Sequence, residues 1–305
     1  MYESAVVPRC TIGPASVPRL FLGDHGYLAK LDSSMTVDEV VESMRALLST
    51  LPVGLSAGEP RVVDAALRAL HGRGCRDIMI HTDLRATLGG QYIRYRDVAA
   101  TMTAHLARFG TDLSKDPVLG FLYRAGCDGS DLTPATELLH LDRTNAESTL
   151  ADINRAGPIV VSIGGDWLDL LLVLGRLELA LTGLTEIAEA AAAQGAAVLL
   201  TTYFGAMLEQ PALEPLLGIV DGLLVPLNHA GYGTLPTLAE HLAWVDSVGL
   251  PVIGMHTVSG AATIEEAFSW LNRPGVAALV IGAASPQHQE DLASAARAYF
   301  DRSRS

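Results

Sequence analysis

Lysine is almost absent from this chain of 305 residues, in which only Lys30 and Lys115 occur among 21 basic residues. All the other basic residues are arginines, which keep their charge and do not form Schiff bases. The sequence therefore argues against chemistry that depends on a lysine amine, such as a Schiff-base aldolase. Lys30 falls in the first predicted loop, and we interpret it as a surface residue.

Cysteine is also scarce, and positive charge is outweighed by negative charge. Cys10, Cys75 and Cys127 are scattered without a CxxC spacing. This pattern is typical of a reducing compartment and predicts no disulfide framework. The net charge is −13, which argues against nucleic-acid partners and against anionic membrane surfaces, because both require a basic face.

Apolar segments long enough to cross a bilayer are missing as well. The most apolar stretch, from Trp167 to Leu184, contains Asp169, Arg176 and Glu178, whereas a membrane span needs about 20 apolar residues. The first residues include Glu3 and lack the apolar segment of a targeting signal. We therefore expect a soluble, cytoplasmic protein.

The sequence does contain a repeated alternation of short apolar runs and helix-like segments. The runs are continuous, as in parallel strands that are buried on both faces. Capping patterns at Thr36–Glu39, Thr263–Glu266 and Ser285–Pro286 indicate helix starts between them. The eight runs that we interpret as strands are Leu20–Gly23, Ile78–His81, Val118–Tyr123, Ile159–Ile163, Val198–Thr202, Gly222–Pro226, Val252–Met255 and Ala277–Ile281.

Eight β/α units in one chain predict a single-domain (β/α)8 TIM barrel over residues 19–305. Residues 1–18, which include three prolines, are predicted to form an N-terminal arm. The alternative architecture is a doubly wound open sheet. It is less favoured, because no GxGxxG motif follows the first predicted strand.

Two segments leave the order of elements open. Thr36–Ser49 and Pro60–Gly72 both look like helices that precede the second predicted strand. Leu170–Leu174 is interpreted as part of an apolar helix, since charged residues lie close by. The alternative is that Leu170–Leu174 is itself a strand, which would displace Ile159–Ile163 into a connection.

Polar residues concentrate at the carboxyl ends of the predicted strands, where barrels of this kind have their active sites. Histidine is the side chain best suited to move protons near pH 7, and an aspartate can fix its tautomer. The alternative is that these imidazoles only fill the mouth of the barrel and bond to loop carbonyls. The predicted catalytic residues are Asp24, His25, His81, Asp83, His229 and His256.

Predicted binding residues surround this set. Arg85 and Arg124 lie in long loops after two predicted strands and would hold the negative charge of a substrate. Tyr203 and Asn228 follow two further strands and are predicted to contact the same substrate. Small residues after the last two strands predict a phosphate site, because they let backbone N–H groups approach a ligand. This site comprises Ser259, Gly260, Gly282 and Ser285.

The segment from Trp270 to Asp291 resembles the last strand and helix of the aldo/keto reductase superfamily. Asp166–Leu174 is similar to the segment before the catalytic histidine of that family. His81-Thr82-Asp83, followed by Gly89-Gly90, is similar to its strand-two motif. The resemblance implies a (β/α)8 barrel whose C-terminal segment holds the phosphate and adenosine end of NADP(H).

The resemblance also implies a catalytic tetrad of aspartate, tyrosine, lysine and histidine, of which only Asp83 matches. The tyrosine position falls at Leu88, the histidine position falls at Leu174, and Val118–Tyr123 contains no lysine. A leucine cannot give a proton to a carbonyl, and Ser285 has no arginine nearby to pair with a phosphate. We therefore expect NADPH to bind weakly or not at all.

Four functions remain open at this point. The preferred one is a non-redox enzyme without a cofactor, a lyase or isomerase that uses His/Asp general acid–base catalysis on an anionic metabolite. The alternatives are an NADP(H)-dependent reductase of the aldo/keto type, a divalent-metal-dependent lyase or hydrolase, and a non-catalytic binding barrel. The metal ligands would be Asp24, His229 and His256. The sequence does not decide the substrate or whether the protein is a homo-oligomer.

Overall fold

The computed structural model describes residues 7–72, 77–82, 86–88, 91–92, 139–141, 143–165, 168–169, 177–203, 205–207, 210–258 and 263–302. Its strands are β1 (Arg9–Ile12), β2 (Ala15–Pro18), β3 (Leu20–Gly23), β4 (Gly54–Ala57), β5 (Ile78–Thr82), β6 (Ala86–Leu88), β7 (Gln91–Tyr92), β8 (Leu139–Leu141), β9 (Val160–Gly164), β10 (Ala197–Thr201), β11 (Gly222–Pro226), β12 (Val252–Met255) and β13 (Val276–Gly282). Its α-helices are α1 (His25–Ser33), α2 (Val37–Thr50), α3 (Pro60–Leu70), α4 (Arg143–Ala156), α5 (Glu178–Ala192), α6 (Gln210–Leu217), α7 (Leu238–Val248), α8 (Ile264–Ser269) and α9 (Pro286–Arg302).

Eight parallel strands close into a barrel in the order β3, β4, β5, β9, β10, β11, β12 and β13, and β13 pairs with β3 to complete the ring. Helices lie between successive strands along the chain and cover the outside of the barrel. The fold is therefore a (β/α)8 TIM barrel, as the sequence predicted. The short strands β6, β7 and β8 form a separate antiparallel sheet.

The second barrel strand was missed by the sequence analysis. This strand is β4, whose sequence Gly-Leu-Ser-Ala offers a single large apolar residue between two helices. Its small residues fit inside the barrel, because a Cβ atom on Gly54 would lie 2.4 Å from the ring of Phe21. A strand built from small residues gives no apolar run for a sequence pattern to detect.

The prediction that Val118–Tyr123 forms the third barrel strand is wrong. The third strand is β5, which pairs directly with β9 from Met79 to Thr82, so described strands fill all eight places in the ring. Residues 118–123 themselves lie outside the described residues. Val160–Gly164 is a barrel strand, which rules out its displacement by Leu170–Leu174, a segment that also lies outside the described residues.

The predicted N-terminal arm contains an antiparallel hairpin, formed by β1 and β2. Its apolar side chains Ile12 and Val17 are completely buried among the side chains that fill the barrel interior. Arg9 donates two hydrogen bonds, of 2.8 and 2.9 Å, to the carboxylate of Asp77, which precedes β5. The hairpin therefore packs against the amino end of the barrel. The arm boundary at residue 18 stays a prediction.

Local sequence explains where several helices begin. Thr36 and Glu39 form the predicted capping box of α2, and Thr263 and Glu266 form that of α8. The Ser285 hydroxyl accepts a hydrogen bond of 3.3 Å from the backbone N–H of His288 and so caps α9. Among the described residues, no helix is both long and apolar enough to cross a membrane.

Candidate active site

Three of the four predicted histidines meet at the carboxyl end of the barrel. His25 is the first residue of α1, His81 lies in β5, and His256 directly follows β12. Burial lowers the pKa of His256 to about 4, and the nearby imidazoles of His25 and His81 act in the same direction. His256 is therefore neutral near pH 7, in a cluster of imidazoles contributed by distant parts of the chain.

The backbone holds His256 in an unusual conformation. Its φ angle of 55° lies in the left-handed region, which non-glycine residues seldom occupy and which occurs preferentially at functional sites. The Nε2 atom of His256 lies 3.1 Å from the hydroxyl oxygen of Tyr203. Its ring also contacts those of Tyr203 and Tyr232, at centroid distances of 5.9 and 5.5 Å. His256 is thus fixed beside a second group that can donate a proton.

A buried aspartate positions Tyr203. Asp169 is fully buried and accepts a hydrogen bond of 2.8 Å from the backbone N–H of Tyr203, while the Thr202 hydroxyl donates to its other oxygen. The sequence analysis treated Asp169 only as a charge that interrupts an apolar stretch. That interruption was the available signal, because a carboxylate in such a stretch is buried only where hydrogen bonds satisfy it.

Both ring nitrogens of His81 are hydrogen-bonded. Nε2 lies 2.5 Å from Ser56 Oγ, and Nδ1 lies 2.7 Å from Ser162 Oγ. Ser56 lies in β4 and Ser162 in β9, the two strands that flank β5 in the barrel. Burial lowers the pKa of His81, and the negative charge of Asp24 opposes this effect. Neither serine was among the predicted site residues, because their approach to His81 depends on strand neighbours and register.

Asp24 connects the start of α1 to the end of β4. Its carboxylate accepts a hydrogen bond of 2.7 Å from the backbone N–H of Gly58, and its carbonyl accepts the N–H groups of Tyr27 and Leu28. A Cβ atom on Gly58 would lie 3.2 Å from the Cβ atom of His81 and 3.5 Å from Asp24 Oδ2. Asp24 and His81 therefore face the same small space, which stays open because residue 58 is a glycine.

A further polar group inside the mouth is Thr201, at the carboxyl end of β10. Its neighbours two and four residues earlier, Leu199 and Ala197, belong to the interior core of the barrel. Because side chains alternate along a strand, Thr201 points into the same interior. Its buried hydroxyl has no hydrogen-bond partner among the described residues.

His229 does not join the other histidines. Its exposed ring stacks on Trp270 at a centroid distance of 4.6 Å, and its Nε2 lies 3.2 Å from Ser269 Oγ. Asn228 is buried, and its side-chain amide bonds to the backbone N–H and carbonyl of Tyr232 at 2.8 and 2.7 Å. In this structure Asn228 holds the loop that carries Tyr232.

The metal triad considered from the sequence is not assembled, because His229 lies apart from the others. Within the described ranges, no three His, Cys, Asp or Glu side chains form a group that could hold a metal ion.

The structure describes only part of the predicted phosphate site and of the predicted binding residues. Gly282 is exposed, and Ser285 caps α9, whereas Ser259 and Gly260 lie outside the described residues. Asp83, Arg85 and Arg124 lie outside them as well.

The strand-two assignment within the aldo/keto reductase resemblance is wrong. His81 and Thr82 lie on the third barrel strand, β5, whereas the second strand is β4. Asp83 therefore follows the third strand and does not occupy the strand-two position. The third strand, Ile78–Thr82, has no lysine.

The sequence matches no family model and no curated protein. Among solved structures, it is similar to a Pseudomonas aeruginosa protein described as an aldo-keto reductase, with 15% identity, a TM-score of 0.53, and coverage of 96% of this chain and 95% of that chain. Tryptophan synthase from Pyrococcus furiosus gives 13% identity, a TM-score of 0.43, and coverage of 96% and 100%. A sugar phosphate isomerase/epimerase from Parabacteroides distasonis gives 9%, 0.44, and 98% of each chain. The first likeness spans nearly all of both chains and shows that this chain shares the barrel fold of that protein.

Proposed function

We propose that this protein is a non-redox enzyme, a lyase or isomerase, that moves protons on a small anionic metabolite at the mouth of the barrel. The observation that carries this proposal is the cluster around His256. A neutral imidazole in a rare backbone conformation lies against the hydroxyl of Tyr203, with two more imidazoles close by. A base and an acid in contact are what general acid–base catalysis requires.

The low pKa of His256 favours an anionic substrate. In the absence of substrate, the imidazole of His256 is neutral, because burial and the two neighbouring histidines disfavour a positive charge. A substrate that brings negative charge to the mouth would raise the pKa of His256 and so favour proton transfer to it. In this proposal Arg85 and Arg124 bind the negative charge of the substrate, which is the role that the sequence predicts for them.

The other polar groups have supporting roles in this proposal. Asp24 stabilises positive charge on His81, and Asp169 fixes the backbone of Tyr203. His25 is the exposed member of the cluster. The reaction that these roles support is removal and return of a proton next to a carbonyl group, a step common to many isomerases and lyases.

Solvent-exchange NMR tests the proposal without knowledge of the net reaction. Small hydroxy acids, keto acids and sugar phosphates are incubated with the protein in D2O, and the loss of each C–H signal is followed. We expect one class to exchange, and we expect His256→Ala to slow the exchange by about 10²-fold or more. His229→Ala is the matched control, because His229 is exposed and lies apart from the cluster.

Equal exchange rates in the His256→Ala and His229→Ala variants would contradict the proposal. Circular dichroism spectra of both variants establish that neither result comes from unfolding. Oxidation of added NADPH in the presence of an aldehyde, with no exchange at carbon, would instead favour the aldo/keto-type reductase.

A further inference from the structure

Ser56, His81 and Ser162 form a hydrogen-bonded set of polar groups that takes no part in the proton transfer proposed for His256. Ser56, His81 and Ser162 lie on three adjacent strands, with His81 and Ser162 directly paired in the parallel ladder. The two serines are 1% and 2% exposed, whereas His81 is only partly buried. Met79, two residues before His81, belongs to the interior core of the barrel, so the imidazole points into the same interior, where a serine hydroxyl contacts each of its nitrogens.

A neutral imidazole has one N–H donor and one bare nitrogen acceptor. Because both ring nitrogens of His81 bond to hydroxyl groups, one of the two serines must donate its proton to the ring. The contacts are 2.5 Å from Nε2 to Ser56 Oγ and 2.7 Å from Nδ1 to Ser162 Oγ, and either tautomer of the ring satisfies both.

We propose that Ser56 is the serine that donates to His81, that His81 activates it as a nucleophile, and that the mouth of the barrel thereby supports acyl transfer from small carboxylic esters. This activity goes beyond the proton transfer proposed above and does not depend on it. A serine whose proton is already directed at a histidine is the arrangement that activates a hydroxyl for attack on a carbonyl. The near-complete burial of Ser56 restricts the acyl group to a small one.

The step balances within the groups of the site and one water molecule. Ser56 Oγ forms a bond to the carbonyl carbon of the ester as its proton passes to Nε2 of His81. The bond from that carbon to the leaving oxygen breaks, and the leaving alcohol takes the proton from His81. Water then attacks the acyl-serine with the same histidine as base, releasing the acid and restoring Ser56.

Two neighbouring groups support the imidazolium that forms during this step. Asp24 carries a negative charge next to His81 and is held by the backbone N–H of Gly58. In the tautomer that this proposal requires, Ser162 accepts the Nδ1–H of His81, at 2.7 Å, and so keeps Nε2 directed at Ser56. In an established serine–histidine pair, a third group orients the imidazole in the same way.

Covalent labelling tests the proposal. The protein is incubated with p-nitrophenyl acetate and, separately, with methanesulfonyl fluoride, a small irreversible serine reagent, and intact-mass and peptide mass spectrometry locate the adduct. We expect one adduct per chain, on Ser56, and a stoichiometric burst of p-nitrophenolate. Ser56→Ala should abolish the adduct, and His81→Asn should slow its formation by roughly 10²-fold or more. Ser49→Ala, an exposed serine on α2, is the matched control and should label like the unmodified protein.

A second variant keeps the result informative if Ser56→Ala does not fold. Ser162→Ala leaves Ser56 in place and should still give the Ser56 adduct, more slowly. An adduct on any other residue, no adduct at all, or equal labelling rates with and without His81 would each overturn the proposal. Labelling of Ser56 requires no C–H exchange. The acyl-transfer proposal and the proton-transfer proposal can therefore each be contradicted without contradicting the other.

Discussion

Gly164→Ala is expected to destabilise the protein by roughly 3 kcal/mol or more, because strain and a collision add at the same position. Gly164 ends β9 with a φ angle of 108°, a conformation that side chains rarely adopt. A Cβ atom there would lie 2.4 Å from the carbonyl oxygen of Thr201 and 2.8 Å from Leu168 Cδ2. The carbonyl of Thr201 is part of the barrel backbone and also accepts the N–H of Gly165, so it cannot move aside freely.

Gly195→Ala is the matched control for this change. Gly195 also has a positive φ angle, of 71°, but nothing lies within 4 Å of the position of its Cβ atom. Only the backbone cost should remain there, about 1 kcal/mol. The free energy of unfolding in urea, measured for both variants, separates the two contributions. Equal losses at the two positions would show that β9 relaxes away from Thr201 without cost.

The free energy of unfolding is expected to fall as the pH is lowered from 6.5 to 4, because His241 is buried in its neutral form. His241 lies in α7, is fully buried, and donates from Nε2 to the carbonyl of Pro226 at 3.1 Å. Its Nδ1 atom has no partner among the described residues. Burial lowers the pKa of His241 from 6.5 to about 4, since a charged imidazolium would lack solvent there.

The direction of this effect follows from proton linkage. Between pH 6.5 and 4 the unfolded chain binds a proton at residue 241 that the folded protein does not bind. The stability contributed by neutral His241 is therefore complete above pH 6.5 and is lost as the pH falls towards 4. One such group contributes about 1.4 kcal/mol per pH unit, hence on the order of 3 kcal/mol over the window.

His241→Gln isolates this contribution from that of the other titrating groups. A glutamine can still donate to the carbonyl of Pro226 but does not titrate, so the slope of stability against pH should be smaller in the variant. His71→Gln, at an exposed position after α3, should keep the slope of the unmodified protein. Urea unfolding at pH 7, 6, 5 and 4 provides the measurement. Identical slopes in all three proteins would refute the role of His241.

Much of the barrel could be predicted from the sequence, because buried parallel strands require continuous apolar runs. β11 and β12 begin and end where the pattern placed them, and the capping residues of α2 and α8 bond as their spacing indicated. The two errors in the assignment of barrel strands have a common cause, because strands were identified by apolar runs alone. A strand of small residues, β4, gave no apolar run, and an apolar run at Val118–Tyr123 was taken for a barrel strand.

The candidate site was predictable only in part. The carboxyl ends of all strands in a parallel barrel lie on the same side of the barrel. The sequence alone therefore determined that His25, His81 and His256 lie on that side. Only the tertiary structure decided that His256 meets Tyr203 while His229 turns to Trp270. Strand order and register brought Ser56 and Ser162 to His81. The physical reason is that these contacts depend on loop backbone angles and on which strands become neighbours, both of which are set by packing between distant segments of the chain.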